Sequence, residues 1–211
     1  MAGFLGGLVS STGVSIHLAR LAHRQNQQDI IAAGVLVACA TMFVRVLLVV
    51  TILNTDLARP LIGPLLLMAI PLFTAAVIDA RKSESTALDS LQLRNPVELG
   101  QAFKFALLLA AVLVASKAVQ SWLGDKGLYL LAALAGISDV DAISISLARA
   151  APSEFSLGSA VQCIIVATLI NTITKGVLVW SFGNPTLGRK VILPMAFSVF
   201  IGIGATLFMI R

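Results

Sequence analysis

Apolar residues run along this chain in long blocks, and the polar residues gather in short interruptions between them. A helix needs about 20 mostly apolar residues to cross a hydrocarbon core of about 30 Å. Seven stretches meet or approach that length, near residues 3–20, 30–53, 59–79, 100–123, 127–149, 157–182 and 190–210. Continuous runs, rather than short segments of alternating character, select helices over barrel strands. The expected fold class is therefore all-α, a polytopic transmembrane helical bundle of about seven spans. The first span has no charged leading region and reads as a permanent membrane segment rather than a signal peptide.

The pattern also repeats. "GLVSSTGVSIHLAR", residues 7–20, aligns without gaps on "GISDVDAISISLAR", residues 136–149, with six identities in fourteen at an offset of 129. At an offset of 130, residues 41–64 align on 171–194 with seven identities, among them Asn54/Asn184, Arg59/Arg189 and Pro64/Pro194. Leu and Ala match easily between apolar helices, so the polar and proline matches carry the argument. Spans one to three then correspond to spans five to seven. Four crossings separate span one from span five, so alternation predicts a parallel repeat. Residues 1–80 form a first repeat unit of three helices, 81–97 a polar cytoplasmic linker, 98–125 an extra helix, and 126–211 a second unit of three helices, all in one integral membrane domain. The two prolines are expected to begin corresponding helices, and Pro71 to kink the third span.

Composition supports this picture: 58% of the 211 residues are hydrophobic and only 12% are charged, too few to wrap a soluble domain of that size. The net charge of +5 is better explained by membrane topology than by nucleic-acid binding. Alternating crossings place Arg20, Arg24, Arg81, Lys82, Arg94, Lys104, Arg149 and Arg211 on one side, and Arg59, Lys117, Lys126, Arg189 and Lys190 on the other. The first group then faces the cytoplasm, with the amino terminus outside and the carboxyl terminus inside. The count assumes that every apolar stretch crosses; a re-entrant segment would change it. Cys39 and Cys163 lie inside predicted helices without metal-ligand spacing and read as free structural thiols.

Four ionisable residues fall at membrane depth: Arg45, Asp139, Asp141 and Lys175. Facing lipid, each costs about 2.5–3.5 kcal/mol, so they must face the protein interior or a water-filled cavity. Two negatives and two positives cancel, and mutual pairing is the simplest arrangement, with ion pairs that merely fix helix packing as the alternative to a functional site. Ser138 adjoins the aspartates, and Thr168, Asn171, Thr172 and Lys175 share one helix face. Thr41 stands where Asn171 stands in the other copy, and Ser10, Ser11 and Thr12 where Asp139, Val140 and Asp141 stand. Alternate residues of a regular helix point about 200° apart. Both carboxylates therefore enter one site only if the helix breaks at Ser138–Asp141, and a break is expected.

The stretches "GFLGGLVSSTGVSIHLARLA" and "GLYLLAALAGISDVDAISISLARAA" resemble the two signature segments of an uncharacterised bacterial polytopic membrane domain usually found downstream of an MgtC/SapB-type domain. The resemblance covers essentially the whole chain. It implies a bacterial inner membrane location, an association with magnesium or other ion homeostasis, and Ser10, Ser11, Thr12, Asp139 and Asp141 as the motif positions. It also implies a further helix before the first block. This matches the lack of any counterpart to the extra helix ahead of span one.

The leading functional expectation is a membrane transporter or channel for a small ion, either a divalent cation such as magnesium or a proton-coupled solute. The binding residues expected are Asp139, Asp141, Ser138, Ser10, Ser11, Thr12, Thr41, Asn171 and Thr172, with Arg45 and Lys175 as charge partners. Carboxylates suit a hard cation, so Asp139 and Asp141 are also the candidate metal ligands. The alternative is a non-transporting membrane regulator or assembly subunit in ion homeostasis. No nucleophile and base pair, Gly-rich phosphate loop or metal-ligand cluster is evident, so no enzyme and no resident cofactor are expected. The partners expected are the lipid bilayer and either a second copy or a protein supplying the missing leading helix, with no nucleic acid.

Overall fold

A computed structural model describes residues 28–82, 127–151 and 156–209, together with Ser15, Ile16, Leu18, Ala19, Arg20, Leu107, Val114 and Ser153. Its elements are α1 (Gln28–Leu53), α2 (Thr55–Lys82), α3 (Gly127–Ser138), α4 (Val140–Ala150), α5 (Leu157–Phe182) and α6 (Pro185–Met209). No strand occurs among the described residues. The predicted linker, nearly all of the extra helix, and Ser10, Ser11 and Thr12 lie outside them.

The apolar runs form helices because nothing inside them competes for the backbone, and in lipid every peptide group must be satisfied within the segment. At 26 residues, α1 and α5 extend about 39 Å each at 1.5 Å per residue. These two, with α2 and α6, are long and apolar enough to cross a membrane. Large side chains on α2 and α6 point outward, with Leu193 73% and Phe200 70% exposed. Such faces suit lipid, whereas a soluble surface would not leave them bare.

The helix starts are set by asparagines. Asn54 Oδ1 accepts the Leu57 N–H at 3.1 Å, and Asn184 Oδ1 accepts the Leu187 N–H at 2.9 Å. Each is an N-cap that satisfies one of the free donors of a first turn. The helices therefore begin earlier than the hydropathy pattern placed them. Pro64 and Pro194, expected to begin helices, are each the tenth residue instead. α2 runs unbroken through Pro60, Pro64 and Pro71.

The described chain groups into two compact units. One holds α1 up to Val44, α2 from Leu66, and Thr172–Ile201; the other holds Arg45–Leu65, α3, α4, α5 up to Asn171, and α6 from Gly202. In the first unit, the Ser198 hydroxyl donates to the Met68 carbonyl at 2.8 Å. Further along, Lys190 lies 3.9 Å from Asp79 and bonds Asp29. Moving back along α6 from Ser198 to Lys190 thus moves forward along α2 from Met68 to Asp79, so the two helices run antiparallel. This corrects the parallel repeat, which requires spans three and seven to point the same way. Also in this unit, the Arg20 guanidinium lies 5.1 Å from the centre of the Phe182 ring.

The second unit corrects the predicted span near 127–149. α3 ends at Ser138, Asp139 is extended at φ −157° and ψ 143°, and α4 starts at Val140. The Tyr129 hydroxyl bonds Gln162, in the second turn of α5, while Gly136 sits deeper, where its carbonyl accepts from Asn171 at 2.7 Å. α3 therefore runs alongside α5 in the same direction. α4 then returns, because Ala151 is joined to the start of α5 by only five residues. The pair folds back at Asp139, and both of its ends lie at the amino-terminal end of α5. Residues 127–209 thus hold four helices among those described, where hydropathy marked three apolar stretches.

Candidate functional site

Asp139 is where the chain turns. Its N–H closes α3 on the Ala135 carbonyl at 2.9 Å, and its carboxylate accepts the Asp141 N–H at 3.1 Å as the N-cap of α4. Aspartate suits this position because an N-cap takes extended backbone angles and supplies an oxygen to the first turn. Asp141, in that first turn, adds a negative charge where the helix dipole favours one.

The break lets both carboxylates reach one cation. Arg45 Nη2, from α1, lies 2.6 Å from Asp141 Oδ2 and 3.9 Å from Asp139 Oδ1. The side chains of Arg45 and Asp141 are 12% and 14% exposed, while Asp139 is 34% exposed. A buried charge is tolerated only when paired. The group is thus two carboxylates and one guanidinium held together among apolar helices.

Two neighbouring groups frame the break. A Cβ on Gly136 would stand 2.5 Å from the Ala167 carbonyl oxygen, so only glycine admits this approach of α3 to α5. That closeness places the Gly136 carbonyl against the Asn171 amide. The amide's own oxygen, buried in a residue 1% exposed, has no hydrogen-bond partner among the described residues. One turn beyond Asp141, the hydroxyl of the fully buried Ser144 has none among them either. Buried oxygens normally find donors, so both are acceptors left over by the described residues.

The structure thus unites Arg45, Asp139, Asp141 and Asn171 in the second compact unit. Thr41, Thr172 and Lys175 belong to the first. There Lys175, 1% exposed, places its ammonium 2.8 Å from Met42 Sδ, and the Thr41 hydroxyl donates to its own helix at Val37. Ser138 is exposed at the end of α3. Among the described residues, no group of three or more His, Cys, Asp or Glu side chains converges.

Two residues escaped the sequence reading. Ser144 was visible only as a match to Ser15, with nothing to show that its hydroxyl is left over. Asn54 donates from its amide to the Ala151 carbonyl at 2.8 Å and the Ala148 carbonyl at 3.4 Å, closing the last turn of α4 while capping α2. The Asn54/Asn184 identity was its signal.

No solved structure matches the chain. A protein of Aquifex aeolicus (strain VF5), named "Uncharacterized protein", is 28% identical over 192 residues, covering 87% of this chain and 81% of that protein. The model of one family, described as "Domain of unknown function (DUF4010)", matches residues 1–183. A helix broken at an aspartate pair, set among long apolar helices, is thus what this match spans, and the chain belongs to the DUF4010 family.

Proposed function

We propose that this protein is an integral membrane transporter or channel for a small cation, with Asp139 and Asp141 as its membrane-buried site. One observation carries the reading: the two carboxylates meet a single arginine at the break between α3 and α4. Broken helices at mid-depth are how transporters present polar backbone and charge without exposing them to lipid.

The chemistry of the carboxylates defines the ligand class: a proton, or a cation shared with the side-chain oxygens of Asn171 and Ser144. A hard cation such as Mg²⁺ takes one or two carboxylates and retains several waters. For such an ion Arg45 is a competitor, holding Asp141 while the site is empty and withdrawing on loading. Asp139, the more exposed carboxylate, is the point of first contact.

The purified full chain in liposomes should move Mg²⁺ or protons, read with entrapped fluorescent indicators. Asp139→Asn and Asp141→Asn should each abolish flux while the protein elutes as the parent does in size-exclusion chromatography. Flux at parental rates in both variants would end this reading. So would a parent protein that moves neither ion while binding neither in calorimetry.

A further inference from the structure

We propose that the groove between α5 and α6 is a binding site for one anionic phospholipid, with an acyl chain in the groove and the phosphate on Arg189. The groove and Arg189 lie within the first compact unit, whereas the aspartates belong to the second, so the site does not depend on the transport reading.

Small residues set among large ones make the groove. Its volume is about 620 Å³, within the usual range for sites that take a small apolar ligand. Ile173, Val177 and Trp180 of α5 and Ile192, Ala196 and Phe200 of α6 line its sides. Gly176 and Met195, both buried, lie at its base, where the glycine presents no side chain. Apart from Thr172 and the Trp180 indole, the lining side chains are wholly apolar. Beside them on α6, Leu193 and Phe197 are exposed. A groove in so apolar a face opens to lipid rather than to water.

Length and direction fit one leaflet. Arg189, Ile192, Ala196 and Phe200 recur at intervals of three and four and so share one face of α6. Arg189 stands at the head of the groove, one turn inside the start of α6 at Pro185. From Arg189 to Phe200 the helix rises about 17 Å at 1.5 Å per residue. Half of a hydrocarbon core of about 30 Å, the depth of one acyl layer, is nearly the same. Trp180 closes the head of the groove. A Cβ on Gly188 would stand 2.5 Å from the indole Cε3, so glycine is what lets the ring lie against α6 beside Arg189. An amphipathic ring suits the boundary between acyl chains and headgroups.

The charge at that end selects the headgroup. Arg189 is exposed, and its guanidinium makes no ion pair or hydrogen bond among the described residues. Lys190 beside it is already held by Asp29 and Asp79. The Arg20 guanidinium lies over the ring of Phe182, the last residue of α5, while Arg81 and Lys82 follow Asp79 on α2. Among the described residues, five cations thus stand against two carboxylates at one end of the unit. Alternating crossings divide these cations, with Arg189 and Lys190 opposite Arg20, Arg81 and Lys82; the Lys190 contacts correct that division. A positive helix end attracts anionic headgroups, and a guanidinium matches a phosphate with two parallel donors. A phospholipid joins an acyl chain to a phosphate at this spacing.

The full chain carrying Trp122→Phe, which leaves Trp180 as the reporter, tests this in phosphatidylcholine vesicles. Phosphatidylglycerol brominated on its acyl chains is added in rising fraction, because bromine quenches a tryptophan that the chain touches. Half of the quenching should occur at a mole fraction about fivefold lower than brominated phosphatidylcholine requires, the factor expected of one cation near the surface. Arg189→Gln should move the phosphatidylglycerol curve onto the phosphatidylcholine curve, and Arg189→Lys should restore most of the preference. Ala196→Phe, which fills the groove and leaves Arg189 in place, should shift the phosphatidylglycerol curve to higher fractions. Coincident curves for the two lipids in the parent would overturn the site. So would an absence of quenching by either, which would show another segment or a second copy covering the groove. A preference unchanged in Arg189→Gln would remove the phosphate from Arg189. The two curves of the parent decide the matter even where a variant does not accumulate.

Discussion

Asp139 serves three ends with one side chain: it stops α3, caps α4 and supports the Arg45 pair. Asp141 is held more tightly, with its carboxylate 2.6 Å from the guanidinium and only 14% exposed. Removing one partner of a buried pair leaves an uncompensated charge, which typically costs about 3–5 kcal/mol. Arg45→Ala should therefore destabilise the folded protein by about 3 kcal/mol, read as a lower midpoint in detergent thermal unfolding. Adding Asp141→Asn should restore part of the loss, because it removes a charge that Arg45 no longer balances. A double variant no more stable than Arg45→Ala would show that the pair is not coupled. The charges themselves were legible in the chain. Their grouping was not, since Arg45 and Lys175 looked interchangeable until the fold assigned the first to the aspartates and the second to Met42.

At the scale of elements, caps and close approaches decide where helices begin and how near they lie. Asn54 alone ends α1 and starts α2, and between α5 and α6 Gly183 ends one helix while Asn184 starts the next. Loss of an N-cap costs about 0.5–2 kcal/mol. Asn54→Ala should exceed Asn184→Ala in differential unfolding, since it also removes donors from the last turn of α4. Gly136→Ala should cost about 1–3 kcal/mol, the usual penalty of overpacking, because its Cβ would meet the Ala167 backbone at 2.5 Å. Parental stability of this variant in thermal unfolding would refute the tight crossing. Hydropathy located all four long helices, but it joined α3 to α4 because both are apolar. Only the aspartates between them marked the break.

For the whole molecule, the Lys190 cluster ties three helix ends together within one compact unit: the start of α1 through Asp29, the end of α2 through Asp79, and α6. Lys190→Met keeps the aliphatic stem and removes the charge. It should lower the thermal midpoint and abolish the salt dependence that the parent shows, because partly exposed pairs are screened. An unchanged salt response would show that the cluster does not hold these ends. This cluster also exposed the opposed directions of α2 and α6, which no single-sequence pattern records. What the chain determined by itself was the helical class, the long apolar helices and the aspartate break. Each of these is a local matter of period, length and capping chemistry. The tertiary structure alone decided which helix ends meet, which cation faces the aspartates, and that α3 and α4 fold back on one another. Direction is a property of contacts between distant segments, and two apolar helices joined by one extended residue look in sequence like one whole crossing.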